Sequence, residues 1–199
     1  MAELVIKTDK ILENIKILND FFEKHNIEWT FVTKMLSGHT ATLEKILEHD
    51  ELKRTHSVGD SRLSSLANIK RIKPDIVTLY IKPPAIKYAK EVVETADISV
   101  NTSIETIKVL SKEAVKQKKN HRILIMLEMG ELREGVVRDN VITFYKQAFE
   151  LPNIQIIGVG TNLGCMYGVE PTYDKLIQLS LYKQLLESMF DKKLPLISG

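Results

Sequence analysis

The sequence predicts an α/β fold: a parallel (β/α)8 barrel of the TIM type, incomplete, with about seven strands present. Three observations lead there. Short apolar, β-branched runs alternate with amphipathic helical stretches along all 199 residues, the pattern of a parallel sheet with right-handed crossovers. No break in composition divides the chain, so residues 1–199 read as one domain, cut at its seventh strand. No Gly-x-Gly-x-x-Gly follows any strand, which counts against a doubly wound dinucleotide fold. The strand count favours a barrel, although a whole barrel needs eight strands and usually about 250 residues.

The elements follow in order. A helix over about Asp9 to Glu23 places Ile11, Ile15, Leu18 and Phe22 on one face. Trp29-Thr30-Phe31-Val32-Thr33-Lys34 reads as a buried strand, with a helix from about Thr40 to His49 after it. Arg54 to Gly59 is a weaker strand and Ser61 to Lys70 a short helix. Asp75 to Ile81 is a strand stopped by Pro83-Pro84, and the next helix runs to about Thr95. Asp97 to Asn101 is a strand whose helix opens on Thr102-Ser103-Ile104-Glu105, a capping-box pattern. Arg122 to Glu128 is the most apolar strand. A helix from about Asp139 to Phe149 leads to the strand Ile154 to Thr161. A last long helix, about Pro171 to Phe190, precedes the strand Leu194 to Ser198.

Composition narrows the class of function. With 28 basic and 26 acidic residues the net charge is +2, and no basic cluster is long enough for a nucleic-acid footprint. One cysteine, Cys165, excludes an internal disulfide framework and makes a cysteine-only metal site implausible. The start, Met1-Ala2-Glu3-Leu4, lacks the segments of a signal peptide, and no run is long enough to span a bilayer. The expectation is a soluble, cytoplasmic domain that binds neither nucleic acid, membrane nor metal.

A barrel delivers the last residues of every strand to one rim, where active sites lie. Lys34 falls at such a position, as do Asp60-Ser61-Arg62, Asn101, Glu128 to Gly135, Gly160 to Cys165 and Ser198-Gly199. Each has a plain structural reading beside the functional one. Lys34 either leaves the sheet for solvent or, partly desolvated, offers a nucleophilic amine. Asp60 and Ser61 suit helix N-caps, and Arg133 between two glutamates suits a surface ion pair. Asn162 suits a turn, Cys165 a small packed residue, and His39 a cap or a phosphate contact. Together the set has a chemical theme. A rim amine suggests a Schiff base, with either a keto substrate or pyridoxal phosphate. An arginine fork holds an oxyanion, and Ser-Gly after a seventh strand suits a phosphate. Periodicity does not choose between aldol and pyridoxal chemistry.

Four segments carry a resemblance: Val32-Thr33-Lys34, Glu131-Leu132-Arg133-Glu134-Gly135, Gly158 to Cys165, and Leu194 to Gly199. In order along the whole chain, they resemble the alanine racemase N-terminal-domain family of fold-type III pyridoxal-phosphate enzymes, and within it the ornithine racemase-like amino-acid racemases. The resemblance implies that Lys34 holds pyridoxal 5'-phosphate and exchanges a proton at the substrate α-carbon. It implies that Arg133 touches the cofactor's phenolic oxygen and the substrate carboxylate. Asn162 stands where alanine racemases usually carry a histidine beside the pyridine ring, and Ser198 and Gly199 match the start of the phosphate loop. The implied activity is racemisation of an ornithine-, lysine- or alanine-type amino acid, by a homodimer in the full-length protein. A non-catalytic pyridoxal-phosphate homeostasis protein and a Schiff-base aldolase or lyase are the alternatives. Family members continue past the Ser-Gly, and a tyrosine usual after the lysine is replaced by Met35-Leu36-Ser37-Gly38-His39. These 199 residues alone are therefore expected to bind the cofactor weakly or not at all and to be inactive. Leu4-Val5-Ile6 is expected as a strand against a further domain or at the barrel's edge.

Overall fold

The computed structural model describes residues 4–199, so most of the start read as lacking a signal peptide, residues 1–3, lies outside the described residues. The chain divides into two compact units, one ending at Ile81 and one beginning at Lys82.

The first unit holds α1 (Thr8–Lys24), β1 (Thr30–Val32), α2 (Thr40–Leu47), β2 (Ser57–Asp60), α3 (Leu63–Ile72) and β3 (Thr78–Tyr80). Its strands are parallel and consecutive, with Thr30 beside Ser57 and Val58 beside Thr78. Leu43, Ile46 and Leu47 of α2 and Leu66 and Ile69 of α3 are all 0% exposed, the apolar stripes that each helix must bury. Along α1 the buried face is rotated from the expected one. Ile15 and Asn19 are buried, whereas Leu18 is exposed. Asn19 can be buried because its amide is fully used: it donates to the carbonyl and carboxylate of Glu51 and accepts from the Trp29 indole at 2.9 Å. The second strand starts at Ser57 and not at Arg54, because Asp50–Arg54 forms a 3-10 turn. That turn points Arg54 at Asp20, Glu23 and Glu51, all within 2.8 Å. Leu4 and Val5 form no strand and are exposed.

The second unit holds α4 (Ala89–Thr95), β4 (Ile98–Asn101), α5 (Ile104–Lys116), β5 (His121–Leu127), α6 (Val141–Phe149), β6 (Ile154–Thr161), α7 (Tyr173–Phe190) and β7 (Leu196–Ser198). β4, β5, β6 and β7 are parallel and again in chain order. β5 is buried on both faces, as a continuous apolar run demands. Ile123, Ile125 and Leu127 pack with Ile107 of α5, Val141 and Tyr145 of α6, and Leu179 and Leu186 of α7. A Cβ on Gly160 of β6 would lie 2.8 Å from the Met126 sulfur and 3.4 Å from Leu124, so those alternate β5 residues pack over a bare backbone. The α5 cap is Ser103, whose hydroxyl accepts the Thr106 N–H; Thr106 therefore occupies the third helical position, and no capping box with Glu105 forms. Glu105 pairs instead with Lys108 at 2.7 Å.

Candidate functional site

In the first unit, the chain leaves β1 at Val32 and turns at once into a 3-10 turn, Lys34–Leu36. Thr33 before it is buried and tied twice to the top of β2. Its N–H donates to the Gly59 carbonyl at 2.8 Å and its hydroxyl to Asp60 Oδ2 at 2.9 Å. The other oxygen of Asp60 accepts the Arg62 N–H at 2.9 Å, and Arg62 Nη1 donates to the Lys34 carbonyl at 2.9 Å. Asp60 thus caps no helix; it is 0% exposed and acts as the knot between the two strand ends. The backbone of Lys34 is pinned, while its side chain is exposed and its amine has no partner among the described residues. The partial desolvation expected of Lys34 is not supplied by its neighbours. His39 follows the plain reading: its Nδ1 lies 2.8 Å from the Thr42 hydroxyl in the first turn of α2.

In the second unit, β5 ends at Leu127 and the chain makes an eight-residue excursion, Glu128 to Gly135, before Val136 returns to the strand. Val136 N–H donates to the Met126 carbonyl at 2.8 Å, and the Glu128 N–H to the Val136 carbonyl at 3.1 Å, which closes the loop into a ring. The closure needs Gly135, where a Cβ would collide with the Glu128 backbone nitrogen. Glu128 Oε1 accepts the Gly130 N–H at 2.6 Å and the Leu132 N–H at 3.0 Å, and Leu132 is held at a φ of 51°.

Arg133 stands at the tip of that ring. Its Nε pairs with Glu134 at 2.8 Å, so the surface ion pair expected of it does form. Its Nη1 donates to the Cys165 sulfur at 3.0 Å and, at 3.5 Å, to Asn162 Oδ1. Asn162 Nδ2 donates in turn to Glu134 Oε1 at 3.0 Å. Two of the three guanidinium nitrogens are thus held, and Nη2 has no partner among the described residues. Cys165 corrects the sequence reading: it is exposed and lies against Arg133, not packed in a core. Asn162 is more than a turn residue, since both ends of its amide brace the arginine. In the same unit, Ser198 pairs with Gly160 and Gly199 follows level with Thr161, one residue before Asn162. Asn101 is buried at the end of β4, where its amide nitrogen donates to Ser99, and it presents nothing outward.

Of the residues singled out in the sequence, Arg133, Asn162, Ser198 and Gly199 all lie in the second unit and Lys34 in the first. The contacts that hold these residues and Lys34 were not legible. Glu131, Thr33 and the Arg62 guanidinium are fixed by contacts 26 to 38 residues away in the chain, which no local pattern reveals. Among the described residues no cluster of three or more His, Cys, Asp or Glu could hold a metal, and no helix is long and apolar enough to cross a membrane.

Consecutive parallel strands joined by helices, with polar loops at their C-terminal ends, define a protein of the parallel β/α barrel class. The chain belongs to the alanine racemase N-terminal domain family, whose model matches residues 6–198. It is similar to an ornithine racemase of Acetoanaerobium sticklandii, 31% identical over 99% of this chain and 54% of that protein. It spans about half the length of the curated relatives it matches. The fold is shared with the alanine racemase of Clostridium difficile 630 in complex with cycloserine, at a TM-score of 0.73 and 15% identity over 94% of this chain and 52% of that one. It is also shared with PipY of Synechococcus elongatus PCC7942 with PLP bound, at a TM-score of 0.65 and 13% identity over 84% and 78% of the two chains.

Proposed function

We propose that residues 1–199 form the pyridoxal-phosphate barrel domain of an amino-acid racemase, acting on an ornithine-type substrate. The observation that carries this reading is the braced guanidinium of Arg133, in a chain 31% identical to an ornithine racemase. In the first unit Lys34, a primary amine without a partner among the described residues, suits the carbonyl carbon of pyridoxal phosphate, and in the second unit an arginine whose Nη2 is unpaired suits an oxyanion. A serine hydroxyl and a glycine at the end of β7 suit a phosphate oxygen. Bound there, the cofactor withdraws electrons from the α-carbon of a joined amino acid, so that its proton becomes removable.

The chain's own residues then divide the work. Lys34 moves a proton at the substrate α-carbon through Nζ. Arg133 binds the substrate carboxylate or the cofactor's phenolic oxygen through Nη2, its tilt set by Glu134 and Cys165. Asn162, with its hydrogen bonds spent on Glu134 and Arg133, contributes a planar wall. Ornithine is favoured over alanine because the racemase with the higher identity acts on ornithine by name, whereas the alanine racemase shares only the fold.

The test is to add pyridoxal phosphate to the full-length protein and follow the visible absorbance of the lysine-bound cofactor, which should vanish in Lys34→Ala. Chiral chromatography of ornithine, lysine and alanine then reads the activity. Cofactor bound with all three substrates left optically unchanged would defeat the racemase reading in favour of a homeostasis role. A borohydride-trapped adduct on Lys34 with the mass of a keto compound would instead mark an aldolase or lyase.

A further inference from the structure

Glu131 is the one charged side chain of the Arg133 ring that is buried, at 1% exposure, and among the described residues its carboxylate is met by backbone N–H groups and not by an ion pair. Its partners are backbone N–H groups of another loop, the one after β6. Tyr167 N–H donates to Oε1 at 2.7 Å and Val169 N–H to Oε2 at 3.2 Å, and the N–H groups of Met166 and Cys165 also point at the carboxylate. The same loop is closed on itself by Gly164 N–H to the Val169 carbonyl at 2.7 Å, with Gly164 and Gly168 both in the left-handed region. A carboxylate taken out of water is tolerated when several N–H dipoles replace its hydration, and these donors hold its pKa below the usual glutamate range.

The consequence reaches Arg133 by a short path. The loop that Glu131 grips carries Cys165, whose sulfur accepts a hydrogen bond from Arg133 Nη1, and it begins at Asn162, whose amide oxygen accepts from the same nitrogen. Glu131 and Arg133 are two residues apart on one strained ring, with Leu132 between them at positive φ. We propose that Glu131 is a positioning residue: by binding the backbone of the 162–169 loop it seats Cys165 and Asn162 against Arg133, and so aims the unpaired Nη2 of the guanidinium. This rests on Arg133 serving the cofactor or substrate as proposed above.

The experiment is a double-mutant cycle on the full-length protein, with pyridoxal phosphate affinity as the binding readout and amide hydrogen exchange as the structural one. Glu131→Gln keeps the shape but turns an acceptor oxygen into an NH2 that faces an N–H. It should release the Tyr167 and Val169 amides to exchange and weaken cofactor binding on the order of tenfold, a coupling of the size that contacting residues show. In an Arg133→Ala background the same change should weaken binding no further. Glu131→Asp, which keeps the charge and guards against a Gln variant that fails to fold, should fall between and show the same loss of effect without Arg133. A purely structural role predicts equal weakening in both backgrounds, and that result would overturn the proposal, as would unchanged exchange at Tyr167 and Val169. If Arg133→Ala itself binds the cofactor like the wild type, the Arg133 assignment fails and takes this inference with it. Weak binding in Arg133→Ala, together with no effect of Glu131→Gln when Arg133 is present, defeats the inference alone.

Discussion

Single residues show how this chain uses burial. His121, at the start of β5, is 2% exposed and bonds Ser99 through Nε2 at 2.8 Å. Burial pushes its pKa down to about 4, against a smaller opposing pull from Asp97, while Lys119 and Arg122 push the same way. The folded protein therefore holds a neutral imidazole that the unfolded chain would protonate below about pH 6.5. Its stabilising effect is complete above that pH and is lost as the pH falls toward 4, to the extent of about 3 kcal/mol at one pKa unit per 1.36 kcal/mol. Urea unfolding at pH 7.5 and pH 4.5 should show a steeper loss in the wild type than in His121→Gln; equal losses would contradict the burial argument. Lys34 teaches the opposite lesson. Its position at a strand end was legible from the run Trp29 to Lys34, but its surroundings were not, because Arg62 reaches its carbonyl from 28 residues away and Asp60 holds the neighbouring Thr33 from 27.

At the scale of elements, the strands were legible and several caps and faces were not. β5 and β6 stood out because β-branched and apolar residues fill both faces of a buried strand. α7 was visible as a helix, but its apolar residues are spread around its axis, so periodicity could not choose its buried stripe. The structure buries Leu179 and Leu186, two turns apart, and leaves Leu181 55% exposed. Leu186→Ala should therefore cost about 2–5 kcal/mol by cavity formation, and Leu181→Ala within about 0.5 kcal/mol, both read by chemical unfolding. Similar costs for the two would mean that α7 buries a different face. The Arg133 ring makes a sharper demand. Since a side chain at Gly135 meets the backbone of Glu128, Gly135→Ala should cost about 1–3 kcal/mol through forced displacement. It should also loosen Arg133 and weaken pyridoxal phosphate binding. A stable variant with unaltered affinity would show that the ring has no such closure.

On the scale of the whole molecule, the fold class could be read from the alternation of elements because parallel βα repeats admit few architectures. The polar residues of the site were legible only as a set. Arg133, Asn162, Ser198 and Gly199 each have an ordinary structural reading, and it is their places after successive strands that give them meaning. Glu131 escaped notice because nothing local distinguishes a buried, backbone-bound carboxylate from a solvated one. The chain belongs to the alanine racemase N-terminal domain family over residues 6–198, and the roles proposed for Lys34 and Arg133 rest on the chemistry of each side chain in its own unit. The most direct measurement is the fate of the α-hydrogen when L-ornithine is incubated in D2O with the full-length protein and pyridoxal phosphate. The account predicts D-ornithine carrying one α-deuterium, and none with Lys34→Ala. Cofactor bound at Lys34 with L-ornithine recovered unchanged and undeuterated would contradict it.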